Sequence, residues 1–355
     1  MFHVDLPVIV SEGVAAEYAV EEERPIETFF KWQEDHDRTL SVQVPSNLTS
    51  NNSYKVHTLK QVKDTFLYND KQNNNDPEDE DFKNKTPWNV LDTQNPVPGT
   101  YPRFIQHHRC QLLHSIKSAV LGGMTAQRME VTTATVASWK DNVDWTLLSE
   151  GGNLTGPHMD AHGLDTWITV QEGAFGFGWM ARPTPKEYLD WMQDPLRRTQ
   201  SDKWRYLVLK PGQTVFFPGG LIHWVFRIKG YQTLATGGHN IRWNALEHWL
   251  DTMALQKQYE DTCNEEQDRI NLFCDHVKHF IQKRIKQGTL EQVFGESVLI
   301  WGSENRRSPI DHANRIIEMI DDPEQPWNAA KKGKKAREGA VKAQRASAAA
   351  NSKRR

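Results

Sequence analysis

From about residue 130 to residue 242 the chain is a succession of short β-branched and aromatic runs, each closed by glycine or proline: VTTATVASW, WTLLSEGGNL, TWITVQEG, AFGFGWMARP, WRYLVLKPGQTVFFPGG and HWVFRIKGYQTLATGG. Val, Thr, Ile, Phe and Trp suit a pleated, half-buried surface, and Gly and Pro set the turns between such runs. Spacing of this kind argues for a β-sandwich or closed barrel, with one helix interrupting near Pro185–Met192.

The flanks read differently. Residues 46–86 hold polar and acidic stretches around a helix expected near Val56–Tyr68. The segment TPWNVLDTQNPVPG predicts a short strand with a Pro/Gly exit. Phe104, Ile105, Leu112, Leu113, Ile116, Ala119 and Val120 fall near helical spacing over residues 103–122. Leu246, Trp249, Leu250 and Met253, then Ile270, Phe273, Val277, Phe280 and Ile281, predict helices across 244–286. The expected organisation is an N-terminal helical and loop region over 1–86, a β core over 87–243, a helical region over 244–322 and a disordered basic tail over 323–355.

Net charge is −3, unevenly spread. Lys331 to Arg355 holds ten basic residues and one acid, Glu338, a net +9 that leaves −12 for the rest. The tail has Val341 as its one larger apolar residue and cannot offset its ordering entropy by burial. Its clusters KKGKK and KRR read as a nuclear-localisation or nucleic-acid-contacting segment, with salt-sensitive and sequence-independent contact. The three cysteines are widely spaced with no C-x-x-C pair, which points to a reduced, intracellular setting and no cysteine-based zinc module. The apolar run at the N-terminus is short and lacks a basic flank, so neither a signal peptide nor a membrane span is expected.

Chemistry concentrates in GPHMDAHGLDTW, residues 156–167. On a strand, His158 and Asp160 project to the same side and place an imidazole beside a carboxylate. H-x-D by itself is weak: among 14 histidines roughly one such match arises by chance, and His3-Val4-Asp5 is one. The weight comes from context. A turn, GGNLTGP, precedes the motif and a Trp-bearing strand follows. In LKPGQTVFFPGGLIHWVF a Pro-Gly turn, a strand and a second turn then carry His223 to what would be a barrel mouth. Two histidines and one carboxylate form a facial set that suits Fe(II) and leaves other positions open.

With these residues in view, Thr155–Asn240 resembles the JmjC domain, a double-stranded β-helix of Fe(II)- and 2-oxoglutarate-dependent oxygenases. T-x-x-H-x-D matches Thr155, His158 and Asp160; Thr166-Trp167-Ile168 matches the family's Trp-containing strand; P-x-G-x-x-H matches Pro218, Gly220 and His223. Pro87-Trp88-Asn89-Val90-Leu91 resembles the strand before the core in the lysine-demethylase branch related to the PHD-finger and F-box enzymes. The resemblance implies a mainly β jelly-roll core with flanking helices, Fe(II) on His158, Asp160 and His223, and 2-oxoglutarate contacted by Thr155 and Asn89. It implies conversion of 2-oxoglutarate to succinate with C–H hydroxylation on a protein substrate such as a histone tail; on an N-methyl group the product releases formaldehyde. His162 and Asp165 are expected around the ligands, where either could partner a bound histidine's second nitrogen. His239 either lines the site or bonds the backbone at a strand end.

Two positions depart from the family pattern. The demethylase branch carries a lysine seventeen residues after the first metal histidine, paired with the distal carboxylate of 2-oxoglutarate; Phe175 stands here. Ile168 replaces a tyrosine-type donor. Three outcomes stay open at this stage. Another cation, Arg227, Arg182 or Lys229, takes the role; the pocket takes a different cosubstrate or none; or the metal remains without oxygenase activity, leaving a silent chromatin or nucleic-acid interaction module.

Overall fold

The computed structural model describes residues 7–10, 23–33, 35–43, 54–72, 87–97, 100–126, 143–195, 201–263, 269–300 and 304–328. The basic tail, the acidic stretch after residue 72 and VTTATVASW lie outside the described residues.

The strands of the two main sheets are β1 Val8–Val10, β2 Thr39–Gln43, β3 Tyr54–Thr58, β4 Asn89–Gln94, β5 Trp145–Glu150, β6 Leu154–His158, β7 Asp165–Glu172, β8 Phe175–Met180, β9 Trp204–Leu209, β10 Thr214–Phe217, β11 His223–Arg227 and β12 Gln232–Asn240. They form an 8-stranded sheet, β1-β10-β7-β12-β5-β4-β2-β3, and a 4-stranded sheet, β6-β11-β8-β9, with antiparallel pairing throughout. The segment from β5 to β12 divides between them: β5, β7, β10 and β12 in the large sheet, β6, β8, β9 and β11 in the small one. That winding is a double-stranded β-helix, a jelly roll with its core between two facing sheets.

Alternation sets which residues fill that core. In β8, Phe175 and Phe177 are fully buried while Gly176 and Gly178 alternate with them on the outer face. The Trp224 and Phe226 rings of β11 lie flat over those glycines, where a Cβ would come within 2.1 and 2.3 Å of ring atoms. Val215 and Phe217 of β10, Ile168 and Val170 of β7, and Trp145 and Leu147 of β5 complete the interior. Each buried aromatic or aliphatic side chain contributes roughly 1.5–3 kcal/mol.

The helices are α1 Pro25–Lys31, α2 Leu59–Gln72, α3 Leu112–Ala126, α4 Pro185–Gln193, α5 Leu246–Gln258, α6 Ile270–Gln287, α7 Leu290–Phe294 and α8 Pro309–Asp321. α3, α5, α6, α7 and α8 enclose a second core built on Leu246, Trp249, Phe273, Val277 and Ile316. α1 and α2 pack a third cluster against the outer side of the large sheet through Phe29, Phe30, Phe66, Leu148 and Leu234. No helix among the described residues is long and apolar enough to cross a membrane.

Two local expectations change. The helix expected from Val56 begins at Leu59, because Tyr54–Thr58 pairs with β2 and Thr58-Leu-Lys-Gln61 forms a capping box. Gln61 N donates to Thr58 Oγ1 at 3.2 Å and Thr58 N to Gln61 Oε1 at 2.9 Å. Residues before 87 thus supply sheet as well as helix. The helix expected over 103–122 is two short 3-10 turns, Arg103–Gln106 and His108–Cys110, followed by α3.

The turns at the open end of the roll interlock. A Cβ on Gly219 would meet the Gly163 carbonyl oxygen at 2.1 Å, so the Pro218-Gly219-Gly220 turn and the Ala161–Gly163 turn touch backbone to backbone. Gly219→Ala should therefore cost about 1–3 kcal/mol, read as a lower midpoint in a urea melt. An unchanged midpoint would mean that the two turns do not hold each other.

Candidate metal centre

The two turns deliver three side chains to one point. His158 ends β6, Asp160 follows it, and His223 opens β11 directly opposite His158 in the β6–β11 register. Asp160 Oδ1 lies 3.7 Å from His158 Nε2 and 3.6 Å from His223 Nε2, and one ligand atom from each residue falls within 4.8 Å of the others. The imidazole rings stand 4.3 Å apart at 51°. Asp160 and His223 are buried and His158 is half-buried.

The backbone fixes which nitrogens face inward. His158 Nδ1 lies 2.8 Å from the Gly156 carbonyl and His223 Nδ1 lies 3.0 Å from the Leu221 carbonyl. A carbonyl only accepts, so each Nδ1 carries the proton and each Nε2 turns a lone pair toward Asp160. Burial first, and then His158, pull the His223 pKa down to about 4 despite Asp160, which keeps this ring neutral at pH 7. Burial alone would raise the Asp160 pKa. The surrounding His223, His239 and His158, and the Thr166 hydrogen bond, outweigh it and hold the carboxyl below its ordinary value. With Nδ1 of each ring turned to a backbone carbonyl, the two Nε2 atoms and Asp160 Oδ1 are placed to offer lone pairs to one cation at their meeting point. This donor set, two imidazoles and one carboxylate oxygen, fits a divalent first-row metal.

The carboxylate is held on its far side too. Thr166 Oγ1 donates to Asp160 Oδ2, leaving the hydroxyl oxygen to accept from His239 Nδ1 at 2.9 Å. His239 therefore lines the site, near the Trp145 ring at 5.7 Å. One oxygen of Asp160 is thus committed to Thr166 and the other is presented between the imidazoles.

Helix α5 clamps the assembly from outside. Gln256, fully buried, donates to the Asp160 carbonyl at 2.7 Å and accepts from Gly163 N at 2.8 Å. His248 Nε2 meets the Gly219 carbonyl at 2.8 Å, and Trp249 Nε1 donates to the His162 carbonyl at 2.9 Å. Tyr188 of α4 donates to the Gly220 carbonyl at 2.8 Å. These polar residues carry no motif. Only their occurrence on otherwise apolar helical faces marks them in the sequence.

His162 and Asp165 do not serve the ligands as expected. His162, in the left-handed region at φ 60°, packs its ring on Phe273 and accepts from Arg269 N at 3.4 Å, so it faces the helical core. Asp165 accepts from Arg242 Nε at 2.6 Å and from Gly219 N at 3.1 Å, which anchors the turn before His223. Backbone carbonyls take the role expected of these two side chains, because each histidine lies two residues after a carbonyl its own ring can reach.

Thr155 is half-buried opposite Val225, on the inner side of the small sheet. Asn89 is buried on the inner face of the large sheet, where Ser149 Oγ donates to its carbonyl and its amide donates to Gln43 at 2.8 Å. Neither touches the three-residue cluster through a hydrogen bond; Asn89 belongs to a polar row at the far end of the roll, level with Ser149 and Thr233.

The departures also have places. Phe175 and Ile168 are both buried in the interior core. Of the three cations considered, Arg182 and Lys229 are exposed. Arg227 is buried on the inner face of β11, in line with His223 and Val225, and its Cζ sits 4.2 Å from the centre of the Phe175 ring. Its Nε and Nη2 have no hydrogen-bond acceptor, and burial lowers its pKa to about 9, leaving it charged at pH 7.

No protein-family model matches the chain, and no curated protein sequence matches it. Among solved structures it is similar to the Drosophila melanogaster CENP-C cupin domain at 10% identity, covering 27% of this chain and 59% of that one with a TM-score of 0.21. D. melanogaster CENP-C bound to CAL1 gives the same identity and TM-score over 27% and 60%. The chain thus spans less than two thirds of the length of these two structures. At this level the likeness carries no argument; the jelly roll is established by the strand order and register above.

Thr166→Val removes the donor to a buried carboxylate oxygen. It should weaken Mn(II) or Co(II) binding about 10–100-fold, the usual cost of losing a ligand's supporting hydrogen bond, while Thr166→Ser keeps wild-type affinity. Calorimetric titration decides, and equal affinity in Thr166→Val would remove Thr166 from the account.

Proposed function

We propose that the chain is an Fe(II)- and 2-oxoglutarate-dependent oxygenase of the JmjC type acting on a protein, with a histone lysine or another protein side chain as substrate. The observation that carries the reading is the convergence of His158 Nε2, His223 Nε2 and Asp160 Oδ1, each oriented by a separate hydrogen bond. Fe(II) in this set, with 2-oxoglutarate, supplies O₂ activation and C–H hydroxylation. The chain's own part is to offer three ligands on one face, to keep His223 neutral and to turn the Nε2 atoms of both histidines toward the metal. It holds Asp160 to a single donating oxygen and packs Phe177 and Phe217 against His223 and Trp145 against His239. The JmjC assignment rests on Thr155, His158, Asp160, Pro218, Gly220 and His223 in the order and spacing of that family.

The tail from Lys331, at net +9, supports a nuclear location and salt-sensitive contact with nucleic acid. Apolar Phe175 and Ile168, where the family carries polar partners for 2-oxoglutarate, favour a second reading: a metal-holding but silent JmjC domain that works as a chromatin interaction module.

Purified protein with Fe(II), ascorbate and 2-oxoglutarate should release succinate without added substrate, through uncoupled turnover. His158→Ala and His223→Ala should each lower that release at least about 100-fold. Metal-loaded wild type that binds Fe(II) but releases no succinate would reject the oxygenase in favour of the silent module.

A further inference from the structure

A guanidinium shut away from water without an acceptor is costly, because a buried charge is stable only when paired and hydrogen-bonded. Arg227 is in that position. It is 4% exposed, its Nε and Nη2 meet no acceptor, and it forms no ion pair among the described residues. Half-buried Arg242, by contrast, is paired with Asp165.

Register says what the missing partner must reach. His223 and Arg227 lie four residues apart on the inner face of β11, their Cα atoms about 13 Å apart by strand rise. Both side chains enter the same interior, with Val225 between them and half-buried Thr155 opposite Val225. Directly across the β8–β11 ladder from Arg227 stands Phe175, and its ring covers the guanidinium face at 4.2 Å. Stacking occupies the flat face and leaves the N–H edge, the edge that grips a carboxylate through two parallel bonds.

We propose that Arg227 is the anion-binding residue of this site, taking the distal carboxylate of a 2-oxo dicarboxylic acid whose oxo-acid end meets the metal at His158, Asp160 and His223. The positive charge has moved across one strand pair, from the β8 position held by Phe175 to its β11 partner. Phe175 becomes the platform that orients the guanidinium. Thr155, between the two ends on β6, lies beside the path of the ligand. The proposal rests on the metal-site reading above and adds to it the residue that takes the ligand's distal carboxylate.

The test uses the whole chain loaded with Mn(II), which holds the geometry without turnover. Binding of 2-oxoglutarate is compared with 2-oxobutyrate, which has the same oxo-acid end and no distal carboxylate. Wild type should prefer 2-oxoglutarate by about 100-fold or more, the scale of a buried charged hydrogen-bonded pair. Arg227→Met should abolish the preference while leaving Mn(II) and 2-oxobutyrate affinity unchanged. The double variant Phe175→Lys with Arg227→Met returns a cation to the opposite strand and should restore the preference, which also shows that loss in the single variant is not misfolding. A preference retained by Arg227→Met, or no preference in Mn(II)-loaded wild type, overturns the assignment of Arg227 with the metal site intact. Wild type that binds no Mn(II) overturns the metal reading, and this proposal with it.

Discussion

A buried carboxylate has to be met by hydrogen-bond donors or by a cation, and Asp160 is met by donors on one oxygen only. Thr166 satisfies Oδ2; on the other side Oδ1 faces two imidazole nitrogens whose protons are committed elsewhere. The site is therefore short of positive charge in a way the protein's own atoms do not remedy. Much of the surrounding architecture serves to keep it so. Two backbone carbonyls fix the imidazole tautomers, burial lowers the His223 pKa, and His239 supports the threonine that holds the carboxylate.

The fold's contribution is to bring two turns distant in sequence into backbone contact and to lock them from the helical side. Gly163 and Gly219 touch because neither has a side chain to hold them apart. Gln256, His248 and Trp249 of α5 then occupy the polar groups that such turns leave exposed. The helical region is thus part of the site's mechanical frame. A ligand geometry set to tenths of an ångström is better served by a helix clamping the loops than by the loops alone.

The jelly roll and the ligand triplet were legible in the sequence because both rest on short-range rules. Alternation in FGFGWM and HWVFR fixes which side faces inward, and two Pro/Gly turns place His158 and His223 at strand ends. What could not be read rests on pairing across the sheets. Nothing local indicates that residue 227 faces residue 175, so which of the three candidate cations stands opposite the apolar substitution emerges only from the ladder. Asn89, which the resemblance makes a 2-oxoglutarate contact, lies at the end of the roll away from the three ligands, because its strand pairs with the Glu150 end of β5. His162 and Asp165 are close in sequence to the ligands but turn toward the helical core and the Gly219 turn, since the backbone enters the left-handed region at His162 and Gly163. Gln256 carries no signal of its own, and its role depends on α5 crossing the two turns.

The same reasoning unites the two ends of the interior. One end lacks a cation between three lone-pair donors; the other holds a cation lacking an anion. A metal chelated by an oxo acid with a second carboxylate, as proposed, would complete both. The most direct measurement is anomalous diffraction at the metal absorption edge from crystals grown with Mn(II) and 2-oxoglutarate. The account predicts one strong peak within coordination distance of His158 Nε2, Asp160 Oδ1 and His223 Nε2. No peak there, or a metal bound by other side chains, would contradict it.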